Sequence, residues 1–323
     1  AQYNEWSQSE GEDTVITRRI RISGPGARGV RVEGALLRDL LDVLVGGCQQ
    51  AVRLRIEGRS TAHGKPPSWV TRAASFDVVG LKEGSTVLVI EAQSLAEALP
   101  EQFAQADLFT PVEPARSCLD LLEESLRDAL EGKSESDAYD DGLVRTFEDF
   151  SKVLRHEVEA VEFMDGTALR VDPIGLETCR RLRNAIPPDQ GVRIAGKLDV
   201  LRHSDRMFTL ILESGDSVRG VVASEAIDLA ELGAMWGGPA VVSGLAKFRP
   251  SGSLLRIEAE RIEPAGETDL SLWGTPPRPV FAPLDERPLR QPQGPRSGVN
   301  AIFGQLPGEE TDEEIIEALN RFS

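Results

Sequence analysis

Ile16, Ile20 and Ile22 alternate with Arg19 and Arg21 until the run stops at Gly24-Pro25-Gly26, which predicts a half-buried strand closed by a turn. Downstream, Leu37, Leu40, Leu41, Leu44, Cys48, Ala51 and Val52 recur at three- and four-residue spacing. That period predicts an amphipathic helix, weakened in its middle by Gly46 and Gly47. Two extended runs, Phe76 to Leu81 and Ser85 to Glu91, flank Lys82-Glu83-Gly84 and read as a hairpin. Helical spacing returns with Leu119, Leu122, Leu126, Ala129 and Leu130, and again with Leu143, Phe147, Phe150 and Leu154. A polar loop over residues 133–141 joins the two. Asp165-Gly166 then sits between Glu157 to Phe163 and Ala168 to Val171, a second hairpin signal, ahead of a helix from about Ile174 to Ile186. Residues 14–188 are therefore expected to form one mixed α+β domain, behind a polar, disordered lead-in over residues 1–13.

Pro187-Pro188 marks a boundary, beyond which five extended runs follow: Val192 to Leu201, Met207 to Leu212, Ser217 to Val222, Ala240 to Phe248 and Leu254 to Ile262. A helical stretch near Ser224 to Trp236 separates the third from the fourth. With Gly196 available for a bend in the first strand, this order over residues 189–263 resembles the OB-fold, a small Greek-key β-barrel. The resemblance implies ligand contact through strands two and three and the loops after strands one and four. Those places hold Arg202, His203, Arg206, Arg219, Lys247, Phe248 and Arg249. Basic residues beside an aromatic can hold phosphate and stack a base, so Arg202, Arg206, Arg219, Lys247, Phe248 and Arg249 are the candidate nucleic-acid contacts. Phe208 and Trp236 are expected to face the barrel core.

Residues 264–299 hold eight of the twenty prolines and little apolar periodicity, which predicts a flexible proline-rich linker. Residues 300–323 close the chain with Thr311-Asp312-Glu313-Glu314, a capping-box sequence for a last helix carrying Ile315, Ile316, Leu319 and Phe322. The fold class expected for the whole is α+β: a mixed domain, an OB-like small barrel, a linker and a C-terminal helix.

Composition narrows the function. Of 323 residues, 53 are acidic and 36 basic, a formal charge of −17 that opposes non-specific attraction to polyanions. No apolar stretch is long enough to span a membrane, and the opening AQYNEWSQSEGEDT lacks a signal pattern. Cys48, Cys118 and Cys179 lie far apart without a CxxC pair, so neither a disulfide framework nor a zinc site is expected. A cytoplasmic protein fits these features.

Gly24-Pro25-Gly26-Ala27-Arg28-Gly29 matches GxGxxG in letter, but Pro25 removes a backbone donor and no helix opens at the third glycine, so a plain turn is expected. His63, His156 and His203 are isolated in sequence, and the acids Asp137, Asp140 and Asp141 do not follow the calcium-loop order; they read as a solvated loop. No GxSxG, HExxH or phosphate-loop sequence is present. The expectation is a non-enzymatic protein without catalytic residues, cofactor or metal.

The run Ile302-Phe303-Gly304-Gln305-Leu306-Pro307-Gly308-Glu309-Glu310-Thr311-Asp312-Glu313-Glu314-Ile315 resembles the C-terminal tail of bacterial antitoxin-like proteins paired with PIN-domain ribonuclease toxins. Such tails fold on the toxin and cover its nuclease cleft. The resemblance implies a protein partner, a PIN-type ribonuclease, held by Ile302, Phe303, Leu306, Ile315, Leu319 and Phe322. Arg321, the one basic residue of the tail, is the candidate for the cleft itself.

Overall fold

The computed structural model describes residues 15–27, 29–62, 64–82, 86–103, 112–202, 206–222, 227, 232–233, 235–280 and 311. Chain contacts divide into two units, residues 1–283 and 284–323, and every element below belongs to the first.

Strand β1 (Ile16–Ser23) leads through the Gly24-Pro25-Gly26 turn into the long helix α1 (Gly34–Glu57). After α2 (Ser68–Ala73) come β2 (Phe76–Lys82) and β3 (Thr86–Ala92), then α3 (Leu95–Ala98), α4 (Pro100–Phe103) and α5 (Cys118–Leu130). The expected second helix of the middle third is two, α6 (Asp141–Glu148) and α7 (Phe150–Leu154), followed by β4 (Ala160–Phe163), β5 (Leu169–Val171) and α8 (Pro173–Ala185). The strands form one antiparallel sheet of order β2-β3-β1-β4-β5. Its inward positions, Ile20, Ile22, Leu88, Ile90, Val161 and Phe163, join Leu40, Leu44 and Leu122 of the helices in one core. The period-two and period-3.6 patterns thus meet along a single face, as an α+β layer requires. Gly47 is less a defect of α1 than a contact surface: a Cβ there would lie 2.7 Å from Leu122 Cδ1, so its absence lets α1 and α5 approach.

The barrel is built from β6 (Gln190–Arg202), β7 (Met207–Ile211), β8 (Ser217–Val222), β9 (Pro239–Phe248) and β10 (Leu254–Pro264). It closes in the order β10-β8-β7-β6-β9, antiparallel throughout except for the parallel β8–β10 pair. A closed five-stranded barrel of this kind is compatible with the OB-like architecture expected from the strand pattern. Phe208 fills its core at 1% exposure, directly across from Gly220, where a Cβ would meet the ring at 2.0 Å. Trp236 departs from expectation: it is 67% exposed, and its indole N–H donates to the Asp199 carbonyl instead of entering the core. The helical stretch expected over 224–236 lies largely outside the described residues.

A further difference concerns the expected linker. Its first residues form α9 (Glu267–Trp273), which packs on β6 and β9. Asp269 accepts the Gly266 N–H at 2.9 Å, and the Arg193 guanidinium lies over the Trp273 ring at 5.9 Å from its centroid. The sequence signal was thin because the helix has seven residues and no wholly buried side chain. Residues 281–299, and the tail positions Ile302, Phe303, Leu306, Ile315, Leu319, Arg321 and Phe322, lie outside the described residues.

Candidate functional site

The loop between α5 and α6, residues 131–140, carries the carboxylates that meet the barrel. Its shape is set locally. The Ser136 hydroxyl donates to Asp128 at 2.6 Å while accepting the Ala138 N–H at 2.9 Å, and buried Tyr139 donates its hydroxyl to the Lys133 carbonyl. These bonds fix the backbone so that Asp137 and Asp140 emerge on the barrel side.

Asp140 is buried at 6% exposure and serves three partners. As the N-cap of α6 it accepts the Leu143 N–H at 3.2 Å, which satisfies one of the helix's orphan donors. The Ser60 N–H donates to it at 3.1 Å and the Ser60 hydroxyl donates to the other oxygen, tying down the chain after α1. From β10, Arg256 Nη2 reaches the same carboxylate at 3.0 Å, and Arg256 is itself only 6% exposed. Burial pushes the Asp140 carboxyl up, but Arg256 and the Ser60 and Leu143 hydrogen bonds outweigh it, so the group stays below the ordinary carboxylate range. Asp140 is thus not the solvated loop acid expected but a buried N-cap, for which an Asp directly before Asp141-Gly142-Leu143-Val144 is the sequence signal.

Asp137 stands in the open, with its side chain 43% exposed. One oxygen accepts Arg219 Nη1 at 2.9 Å. The other accepts Arg249 Nε at 3.0 Å as well as Arg249 Nη2. Its backbone carbonyl accepts Arg55 Nη1 from α1 at 3.2 Å. Beside it, Ser253 donates to Glu135 at 2.7 Å. Hydroxyl hydrogen bonds from Ser251 and then Ser253 hold the Glu135 carboxyl below its ordinary value.

Two clefts flank these contacts. One, of about 600 Å³, is lined by Leu54, Met207, Val221 and Leu255 together with Arg219 and Arg256. The other, of about 630 Å³, opens beside the start of α6 and is lined by Arg59, Arg145, Lys247 and Arg256 against Asp140, Asp141, Asp189 and Glu258. Arg256 is common to both, and its Nη1 is buried without a hydrogen-bond partner.

The candidate nucleic-acid residues are thus distributed unevenly. Arg219 and Arg249 converge on Asp137, whereas Lys247 pairs with Asp189 and lies 3.9 Å from Glu258. Phe248 is 3% exposed, so its ring is packed inside and presents no face to a base. Arg206 opens β7 in the left-handed region at φ 55°, its carbonyl accepting the Val222 N–H at 2.8 Å. Arg202 ends β6. The GxGxxG segment is a turn that backs onto the chain after α7, with the Gly26 N–H donating to the Glu157 carbonyl at 2.9 Å. His156, isolated in sequence, lies 3.0 Å from Asp39 and 3.7 Å from Glu33. His156, then Arg38, holds the Asp39 carboxyl low.

A separate polar cluster lies between α5 and the sheet. Arg18 of β1 pairs with Asp120 and approaches Glu123 at 3.5 Å. Glu123 is 8% exposed, and burial raises its carboxyl to about 7, with Arg18 opposing and Asp120 adding to the shift. Among the described residues no group of three His, Cys, Asp or Glu is gathered so as to hold a metal ion, and no helix is long and apolar enough to cross a membrane. Comparison of the chain with protein-family models, curated proteins and solved structures finds no match.

Proposed function

We propose that this chain is a non-enzymatic, antitoxin-like protein whose C-terminal segment, residues 300–323, binds and inhibits a PIN-type ribonuclease. The observation that carries the reading is the division of contacts at 283/284, which sets residues 284–323 apart as a unit of their own. Within that unit the sequence offers two apolar anchors, Ile302-Phe303-Leu306 and Ile315-Leu319-Phe322, around a capping box. A helix of about eleven residues is marginal alone in water, so its apolar stripe gains stability from a partner surface. Each anchor buried contributes roughly 1.5–3 kcal/mol. The acids between Glu309 and Glu317 call for a groove with a basic rim, and Arg321 supplies the one cation able to meet nuclease acids.

The barrel, which we read as an OB-fold from its strand order and its parallel β8–β10 pair, serves here as part of the body. Its alternative role, single-strand binding through Arg202, Arg206, Arg219, Lys247 and Arg249, without a stacking contribution from buried Phe248, would need Arg219, Lys247 and Arg249 to exchange carboxylates for phosphates. Co-expression of the full chain with a PIN nuclease tests the principal reading. The wild-type chain should co-purify with the nuclease and suppress its RNA cleavage, and Leu319→Asp with Phe303→Ala should lose both effects. Equal suppression by the two chains would remove the tail as the binding element.

A further inference from the structure

Two arginines on one exposed carboxylate make an arrangement that another oxyanion can enter. Arg219 projects from β8, and Arg249 follows β9; each takes a different oxygen of Asp137. Arg249 is held in place from behind, since its Nη1 donates to Ser253 Oγ at 3.2 Å and to the Leu254 carbonyl. A guanidinium already fixed in its binding rotamer loses little further entropy when a ligand arrives. Fork-shaped donors facing a shared acceptor match the oxygens of a phosphate as well as those of a carboxylate. The Asp137 side chain, 43% exposed and screened by solvent, is a weak occupant that water and a better anion can displace.

The surroundings point to a ligand larger than a bare ion. Asp137 and Arg219 line the 600 Å³ cleft, and with Arg249 they also line a second cavity of about 360 Å³, both volumes in the range of small-molecule sites. The apolar residues of the larger cleft offer burial to a flat or apolar body. Three arginines, Arg55, Arg219 and Arg256, here face three acids, Glu124, Asp128 and Asp137. Moving Asp137 out turns that balance positive.

We propose that Arg219 and Arg249 form a phosphate-binding clamp in the cavity they share, and that Asp137 fills it in the free chain as an internal stand-in for the phosphate. The clamp lies within residues 1–283 and operates whether or not the C-terminal segment grips a nuclease. Two sources supply the phosphate chemistry, a small phosphorylated molecule and the backbone of a single-stranded nucleic acid, and each has its own probe.

The full-length wild-type chain, Asp137→Asn and Arg219→Ala are titrated at low salt with pyrophosphate by calorimetry and with a fluorescein-labelled thymidine dodecamer by anisotropy. Asp137→Asn should bind at least one probe about tenfold more tightly than wild type, because the competing charge is gone while both arginines remain. Arg219→Ala in the Asp137→Asn background should return the affinity to wild-type level or below. Gain toward pyrophosphate alone identifies a small ligand, and gain toward the dodecamer, with a steep salt dependence, identifies a nucleic-acid backbone. Unaltered affinity of Asp137→Asn for both probes, with an unchanged circular dichroism spectrum, overturns the proposal. So does a gain that survives Arg219→Ala, since the anion would then be bound elsewhere.

Discussion

Two carboxylates of the 131–140 loop, Asp137 and Asp140, meet the barrel in opposite surroundings. At Asp140 the carboxylate and its arginine are both sealed from water, and every acceptor position is committed to Ser60, Leu143 or Arg256. At Asp137 the carboxylate stays wet, and of its two arginines Arg219 is 61% exposed on its side chain and Arg249 15%. A charge in low dielectric cannot give up its partner without leaving an uncompensated charge, whereas an exposed pair trades its partner for water at small cost. The buried node is therefore architecture, and the exposed node is the place where exchange is feasible. Residues three apart on one loop acquire different roles from solvent access alone.

Removing the buried partner should break this contrast most forcefully. Asp140→Ala deletes a helix cap, frees the Ser60 donors and takes from Arg256 one of its two carboxylates, leaving it Glu258 at 3.0 Å, and an effect of about 3 kcal/mol on unfolding is expected from these losses together. Arg256→Ala, which takes the cation from both Asp140 and Glu258, should cost at least as much, and the double substitution less than the sum, because Asp140 is then no longer left facing an absent arginine. Denaturant titration of the three variants reads this directly; additive losses would mean that the pair is not coupled. The pH dependence has a definite sign. With a folded-state pKa below the ordinary value, Asp140 contributes stability that is present above about pH 4 and disappears as pH falls through its lower folded value. Asp140→Asn should lack that acid-side loss.

Glu123 sharpens the comparison from another direction, because it is a buried carboxylate whose compensation is incomplete. Its Oε1 has no hydrogen-bond partner, and Arg18 stands 3.5 Å away while committed to Asp120. Raised to about 7, it keeps a proton in the folded chain that the unfolded chain releases near pH 4.5. Stability should accordingly fall as pH rises from about 4.5 to 7, by up to about 3 kcal/mol, and level off above that window. Glu123→Gln should flatten the slope and leave the protein more stable than wild type at pH 8. Thermal unfolding across pH 4 to 8 measures both, and a wild-type profile that rises through the window would contradict the assignment.

How much of this could be read beforehand follows from the range of the forces involved. The sheet strands, the long helices and the five barrel strands are written in apolar periodicity, which is local, so β1, α1, α8 and β6 to β10 fall close to where the pattern puts them. Splitting of the helix at Glu148-Asp149-Phe150 left the apolar spacing intact and so gave no warning. The site was far less legible. Asp137 meets Arg249 across 112 positions and Asp140 meets Arg256 from a different part of the fold, and no spacing rule spans such distances. Arg219 and Arg249 meet at Asp137, a convergence that their places in the strand pattern do not announce, while Phe248 alternates inward on β9, and its 3% exposure follows from strand parity.

The smallest expected effect belongs to Asp137, and its smallness is what separates the two nodes. Replacing it by Asn keeps the shape but leaves a single acceptor oxygen for the two arginines, while removing a charge that solvent already screens. Unfolding free energy should change by no more than about 1 kcal/mol, and the difference should shrink as salt is raised from 50 to 500 mM. Arg249 stays anchored by Ser253 and Leu254, so the barrel loop should keep its form. A loss comparable with that of Asp140→Ala would place Asp137 among the structural carboxylates and leave the clamp without a replaceable occupant. A marginal loss that vanishes in salt would mean that the loop is held to the barrel by Asp140, leaving Asp137 free to yield its arginines to another anion.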